Sequence, residues 1–296
     1  MRGRLIAVPV LGVVAAASLL AAPTQQSTFR AGARTVALYA TVQDAEGRLV
    51  PDLRREHFQV FDDGAPVELS VFSNDIQLMT LVLLLDMSIS IENEFMRVRE
   101  AARHFVDQLL PGDRVRIGTF GAEVALSPWL TGDKALLRRV LDEELWPGGN
   151  VTPLYAALDA GMTALAAEPG RRVLLAVTDG VDSSSSLRER KIVPPQIDRR
   201  AVESEFLVYA IGLQGPGLRG GITALADQTG GGRFELKRNA DLATTMGRVV
   251  DELHHQYVLG FVPATLDGRT HRLEVRMTQP KLTARARQSY VARAGQ

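Results

Sequence analysis

The middle of the chain alternates short runs of consecutive aliphatic residues with longer segments whose apolar residues recur every three to four positions. Two of the aliphatic runs, 81–85 and 173–177, are too short for a typical helix and have the length of strands buried on both faces. Helical periodicity and helix-start signals predict helices at 95–109, 134–141, 152–167, 192–203, 222–229 and 241–254. This alternation predicts an α/β domain whose doubly wound, mostly parallel sheet carries helices on both faces.

The two ends of the chain have strand patterns instead. Residues 29–76 and 256–291 are both too short to enclose a hydrophobic core alone, so we expect them to pair as one β module. That module is interrupted by the α/β domain, which we place at 78–254. An Asp-Gly turn at 63–64 predicts a hairpin in the first flank. Strands are predicted at 35–42, 58–61, 67–72, 257–262, 271–278 and 282–290.

The first residues have the features of a targeting segment. Arg2 and Arg4 give a basic start, and 5–22 is an uncharged run that ends in small residues. We therefore predict a secretory signal peptide at 1–22, with an uncleaved membrane anchor as the alternative. No later apolar run approaches the ~20 residues needed to span a bilayer. The mature protein is expected to be exported, either periplasmic or extracellular, without a transmembrane segment.

Composition excludes several function classes. The sequence has 34 Lys plus Arg and 34 Asp plus Glu, so its net charge gives no support for nucleic acid as a partner. It contains no cysteine, which excludes disulfides, thiolate catalysis and cysteine-ligated zinc. The fold must therefore be held by burial of its core.

Polar residues suited to a cation follow the two aliphatic strands and open one helix. Asp86, Ser88 and Ser90 come directly after the first strand, and Asp179 follows the second. Thr152 stands just before a predicted helix. Open α/β sheets bind ligands at the carboxyl ends of their strands, so these side chains are expected at one edge of the sheet.

These residues resemble the metal-ion-dependent adhesion site (MIDAS) of the von Willebrand factor type A domain. That site uses Asp-x-Ser-x-Ser, a distant Thr and a later Asp. The chain has Asp86-Met87-Ser88-Ile89-Ser90, Thr152 within Gly-Gly-Asn-Val-Thr-Pro-Leu, and Asp179 within Thr-Asp-Gly. The resemblance covers about 78–254, and the β-rich flanks look like those of a group of exported bacterial proteins with such a domain.

The resemblance implies a Mg²⁺ ion, or Mn²⁺ or Ca²⁺ in its place. The hydroxyls of Ser88, Ser90 and Thr152 would bind it directly, while Asp86 and Asp179 would act largely through bound water. Neutral direct ligands leave the ion electrophilic, so a Glu or Asp carboxylate of a partner protein can complete its shell. The implied function is that of an exported, metal-dependent adhesion or protein-interaction module, which is not an enzyme.

Two other functions stay open at this point. One is a structural envelope protein whose metal site only stabilises the fold. The other is a metal-assisted hydrolase in which Asp86 or Asp179 is the general base, although no nucleophile or acid/base partner is evident.

Several residues also have purely structural interpretations. Ser90 could cap the following helix, Thr152 could be an N-cap before Pro153, and Asp179 could belong to an ordinary turn. Adjacent histidines at 254–255 cannot share one helix face as a metal pair. We interpret the three remaining histidines as structural: His57, His104 and His271.

Overall fold

In a computed structural model of the chain, the structure describes residues 35–143, 145, 148–179, 182, 194–213, 218, 221–236 and 241–293. The predicted signal peptide at 1–22 lies outside the described residues, as does the start of the first β segment at 29–34. Among the helices of the described part, none combines the length and apolar character needed to cross a membrane.

The elements follow one another along the chain in the predicted order. The strands are β1 (Val36–Gln43), β2 (Phe58–Asp62), β3 (Ala65–Val67), β4 (Leu69–Ser73), β5 (Thr80–Asp86), β6 (Arg114–Phe120), β7 (Val124–Leu126), β8 (Arg172–Thr178), β9 (Phe206–Gly212), β10 (Arg233–Glu235), β11 (Tyr257–Phe261), β12 (Thr270–Met277), β13 (Thr283–Arg285) and β14 (Ser289–Val291). The helices are α1 (Phe95–Asp107), α2 (Lys134–Glu143), α3 (Leu154–Leu165), α4 (Pro194–Glu203), α5 (Gly221–Thr229) and α6 (Leu242–His254). Short 3₁₀ helices lie at Arg55–His57 and Ile89–Glu94.

The α/β part is built around a six-stranded sheet in the order β10-β9-β8-β5-β6-β7. All its pairings are parallel except that of β7 with β6. Alternate residues of β5 enter two separate apolar clusters, with Leu83 in one and Leu84 in the other. Helices α1, α2 and α6 line the first cluster and α3, α4 and α5 the second. The predicted fold class, with helices on both faces, is confirmed.

The two flanks pair with each other, as predicted. Two four-stranded sheets, β13-β1-β11-β4 and β14-β12-β2-β3, each combine strands from both ends of the chain. Val36 pairs with Phe261 in the first sheet, and Asp62 pairs with Leu273 in the second. One apolar cluster draws residues from both sheets, so neither flank could bury its core without the other.

Two predicted strands are each divided between these sheets. The predicted strand 67–72 is split at Glu68: β3 pairs with β2, whereas β4 pairs with β11. The predicted strand 282–290 likewise becomes β13 and β14, which pair with β1 and β12. Val67 and Leu69 both contact the shared core, so the alternation of apolar residues continues across the break and conceals it.

A buried arginine joins the β module to the central sheet. Arg171 precedes β8 and is 6% exposed, and its guanidinium lies 5.4 Å from the ring centre of Tyr39 in β1. Its two Nη atoms donate hydrogen bonds of 2.5–3.2 Å to the carbonyl oxygens of Gln77, Leu78 and Leu253 and to the side chain of Gln256. Arg171 therefore fixes two segments to the start of β8: the one that enters the α/β part, at 77–78, and the one that leaves it, at 253–256.

A buried carboxylate supports the same junction. Asp113 accepts hydrogen bonds from the amide of Met79 (2.9 Å), the amide of Leu110 (2.7 Å) and Nε2 of His254 (2.9 Å). Burial alone would raise the pKa of Asp113, but the bonds from His254, Met79 and Leu110 outweigh it and lower the pKa. The ionised carboxylate therefore ties the start of β5 to the end of α6.

Replacing this carboxylate by an amide is expected to destabilise the fold. In Asp113→Asn, an NH₂ group would face the Leu110 amide and His254, which costs about 2–3 kcal/mol of unfolding free energy. The matched change Asp107→Asn, at an exposed pair with Arg138, should cost less than about 1 kcal/mol. Urea unfolding at neutral pH measures both.

The pH dependence of unfolding gives a second readout. The folded pKa of Asp113 is depressed, so its contribution is complete above the unfolded value of 3.8 and is lost as pH falls through the folded pKa. Wild type should therefore lose more stability than Asp113→Asn as the pH is lowered below 3.8. Equal unfolding free energies of the two Asp→Asn variants would contradict this account.

Candidate functional site

Asp86 ends the central strand β5 and is fully buried. Its Oδ1 accepts hydrogen bonds from the amide (2.9 Å) and the hydroxyl (2.6 Å) of Ser88. Its Oδ2 accepts a 2.6 Å bond from the hydroxyl of Thr178, at the end of β8. The parallel pairing of Leu85 with Val177 places these two strand ends side by side. One carboxylate thus connects the ends of two neighbouring strands.

The two serines continue this group toward the surface. The Oγ atoms of Ser88 and Ser90 are 2.9 Å apart, and Ser88 is buried while Ser90 is exposed. A 3₁₀ helix, Ile89–Glu94, begins between them, and α1 follows it. Ser90 therefore lies in the first turn of that short helix, and the interpretation of Ser90 as a helix cap is wrong.

The loop that carries Thr152 packs against the Asp86 loop through backbone hydrogen bonds. The amide of Gly148 donates to the carbonyl of Met87 at 2.8 Å, and the amide of Ile89 donates to the carbonyl of Gly149 at 3.0 Å. Thr152 is buried, and the N-cap position of α3 is occupied by Pro153. The interpretation of Thr152 as the N-cap is therefore wrong.

Asp179 follows Thr178 at the same edge of the sheet. Burial raises the pKa of the Asp86 carboxyl above its ordinary value, and the negative charge of Asp179 adds to this. Hydrogen bonds from Ser88 and Thr178 act in the opposite direction. Two like charges near a buried position are a cost that a cation would relieve.

The structure thus brings the predicted residues to one edge of the sheet. Asp86, Ser88 and Ser90 form one hydrogen-bonded group, Asp179 lies within electrostatic range of Asp86, and Thr152 is in the loop that packs beside them. Their donor atoms are hydroxyl and carboxylate oxygens, which are the ligands that Mg²⁺ and Ca²⁺ prefer. Their joint coordination of an ion stays a prediction.

Sequence reasoning gave no role to Thr178 or to the glycines of this site. Gly149 has φ +98°, and a Cβ on it would lie 2.1 Å from the amide nitrogen of Ala122. A Cβ on Gly121 would lie 2.6 Å from the carbonyl oxygen of Gly148. The loops after β5 and β6 and the loop before α3 therefore pack backbone against backbone. The doublet Gly148-Gly149 was the signal in the sequence, but its contacts follow only from the fold.

Comparison with known proteins gives a family match within the α/β part. Residues 81–182 match the family model of the von Willebrand factor type A domain. A solved von Willebrand factor type A protein from Catenulispora acidiphila is 14% identical, with a TM-score of 0.52 over 90% of this chain and 76% of that one. A search of curated proteins gives no match.

A mussel protein gives a second structural likeness. Proximal thread matrix protein 1 from the mussel byssus, solved with a zinc-occupied MIDAS motif, is 17% identical with a TM-score of 0.51. The likeness covers 64% of this chain and 48% of that one, about half its length. At identities this low, the likeness to solved structures shows a shared fold alone. The type of domain matched by the family model supports the general class of a protein-interaction module. On the family match and the observed sheet, the chain contains a von Willebrand factor type A domain.

Proposed function

We propose that this protein is an exported, divalent-metal-dependent protein-binding module that recognises an acidic side chain of its partner. The bound cation would be held by Asp86, Ser88, Ser90, Thr152 and Asp179. The observation that carries the proposal is the hydrogen-bonded group Asp86–Ser88–Ser90 at the end of the central strand, with the charge of Asp179 beside it. Export rests on the sequence pattern of residues 1–22.

The hydrogen bonds support different roles for the acids and the hydroxyls. The Ser88 hydroxyl donates its proton to Asp86, so its oxygen lone pairs are directed elsewhere and can bind a cation. The Ser88 and Ser90 oxygens are 2.9 Å apart, which matches the edge of about 3.0 Å expected for adjacent ligands around Mg²⁺. Asp86, whose two oxygens already accept bonds from Ser88 and Thr178, would orient the direct ligands from outside.

Hydroxyl ligands leave most of the ion's charge uncompensated. A carboxylate from outside the chain is the natural ligand for the remaining position, because charge and hard oxygen character both match. The side chain of Ile89, between the two serines, is 59% exposed, and that of Met96 nearby along the chain is 60% exposed. Both offer apolar contacts of the kind found in protein interfaces. Mg²⁺ is the proposed ion, with Mn²⁺ or Ca²⁺ as substitutes.

A second candidate function is a structural envelope protein in which the metal only stabilises the fold. The bond between Asp86 and Thr178 favours it, because an ion bound beside Asp86 would act on a carboxylate that joins two core strands. The two functions differ in whether the ion keeps a position open to an external carboxylate.

Removing one residue of the proposed site, whether a direct ligand or an acid that acts through water, should weaken Mg²⁺ binding. Ser88→Ala and Asp179→Asn are each expected to weaken Mg²⁺ at least about 10-fold in calorimetry, because a direct ligand or a water-orienting acid is lost. The matched control is Ser127→Ala, since Ser127 is also buried and hydrogen-bonded, to Ile117 and Trp129. Equal Mg²⁺ affinity of Ser88→Ala and Ser127→Ala would refute the site.

The open coordination position can be tested without knowing the partner. With the protein loaded with Mn²⁺, N-acetyl-glutamate N-methylamide should show faster proton relaxation than the glutamine analogue, because only the carboxylate reaches the paramagnetic ion. The difference should vanish in Ser88→Ala. Mg²⁺ or Mn²⁺ binding without any difference between the two probes would favour the structural function.

The loop packing predicts a third effect on metal binding. Gly149→Ala combines an unfavourable φ with the clash against Ala122, so it should displace the Thr152 loop and weaken Mg²⁺ at least about 10-fold. Gly47→Ala is the matched control, since Gly47 also has positive φ (+77°) but nothing within 4 Å of an added Cβ. It should cost about 1 kcal/mol of stability and leave Mg²⁺ affinity unchanged. Unchanged affinity in Gly149→Ala would contradict the packing argument.

A further inference from the structure

The β module contains a second group of metal-ligand side chains. Asp62 ends β2, and Asp63 follows it in the turn with φ +47°. His271 is the second residue of β12, which pairs with β2 so that Leu273 lies opposite Asp62. Two hydrogen bonds between Asp63 and Arg272 fix the turn to β12. The Arg272 amide donates to Asp63 Oδ1 (2.7 Å), and the Arg272 carbonyl accepts from the Asp63 amide (2.9 Å).

One ligand atom from each of the three side chains converges on a small space. These atoms all lie within 4.8 Å of one another. Nδ1 of His271 is 2.9 Å from Asp62 Oδ1 and 3.5 Å from Asp63 Oδ2. Adjacent ligands around a metal bonded at 2.0–2.2 Å are about 3.0 Å apart in octahedral and about 3.4 Å apart in tetrahedral geometry. Only small side-chain shifts would therefore be needed to accept an ion.

The other polar atom of each ligand is held by a different group. The Tyr290 hydroxyl donates to Asp62 Oδ2 at 2.8 Å, and the Arg272 amide occupies Asp63 Oδ1. Nε2 of His271 lies 3.2 Å from Asp267 Oδ1. A histidine ligand whose far nitrogen donates to a carboxylate is the usual arrangement in protein metal sites, because that bond fixes the tautomer and the ring orientation.

The charges of the group also suit a bound cation. Three carboxylates, of Asp62, Asp63 and Asp267, surround one imidazole. A proton on Nδ1 offers one N–H to two carboxylate oxygens, whereas a metal ion can bind both and leave the ring neutral. Arg269 approaches Asp267 only at 3.8 Å, with an 84% exposed side chain. Asp62 and His271 are buried and Asp63 is exposed, so an ion could enter from the turn.

We infer that Asp62, Asp63 and His271 form a second divalent-metal site, which binds a borderline ion such as Zn²⁺. One imidazole nitrogen and two carboxylates suit Zn²⁺ better than Mg²⁺, whereas the oxygen-only set at the end of β5 has the opposite preference. The ion would brace the β2–β3 turn against β12. This assignment is independent of the proposed function and replaces the interpretation of His271 as purely structural.

The test is Zn²⁺ calorimetry on the full mature chain, with excess Mg²⁺ present to occupy the first site. Asp63→Asn is the main variant: its amide oxygen can still accept the Arg272 bond, and asparagine tolerates positive φ, so the turn should survive. Asp44→Asn is the matched control, since Asp44 also accepts backbone bonds in a turn of the β module. Asp179→Asn reports on the first site, and the NMR signals of the His271 ring report on direct ligation.

The expected result is one equivalent of Zn²⁺ in wild type, Asp44→Asn and Asp179→Asn, with at least about 10-fold weaker binding in Asp63→Asn. The ring signals of His271 should shift with Zn²⁺. The inference is overturned if wild type binds no Zn²⁺ under these conditions. It is also overturned if binding is lost in Asp179→Asn but kept in Asp63→Asn, or if the His271 signals do not respond.

Discussion

The site depends on one buried carboxylate at the junction of two parallel strands. Asp86 is fully buried, and its three hydrogen bonds from Ser88 and Thr178 fix its orientation and offset part of its desolvation. The bond from Thr178 exists because β5 and β8 are neighbours in register, so the sheet itself sets the position of the Asp86 carboxylate. A polar group placed by core strands is held more rigidly than one placed by loops alone.

The β module is attached firmly to the face of the domain that carries α6. Glu252 in α6 is buried, and it accepts a 3.1 Å hydrogen bond from Gln43 of β1 and pairs with Arg285 of β13. Burial raises the pKa of Glu252, and Arg285 acts in the opposite direction. Together with Arg171 and Asp113, the Glu252–Arg285 pair makes the end of α6 an anchor that joins the α/β part to the β module. The flanks are therefore an integral part of the fold.

Sequence patterns predicted most of the fold and the pairing of the two flanks, but not which individual strands and residues are partners. The aliphatic run of β5 and the polar residues after it located the site, because a strand that is buried on both faces is recognisable as a run of consecutive aliphatic residues. Thr178 was missed as a partner of Asp86 because their contact joins residues 92 positions apart. The break at Glu68 was missed because both sheets share one core. His271 and Asp62 are 209 positions apart, and no local pattern indicates that they meet.

The most direct test of the central claim is anomalous diffraction from crystals of the protein grown with Mn²⁺. The account predicts an anomalous peak about 2.2 Å from the Oγ atoms of Ser88 and Ser90. The hydroxyl of Thr152 should lie in the same shell, and Asp86 and Asp179 should be linked to the ion through water. A protein with Mn²⁺ bound elsewhere and no peak at the end of β5 would contradict it.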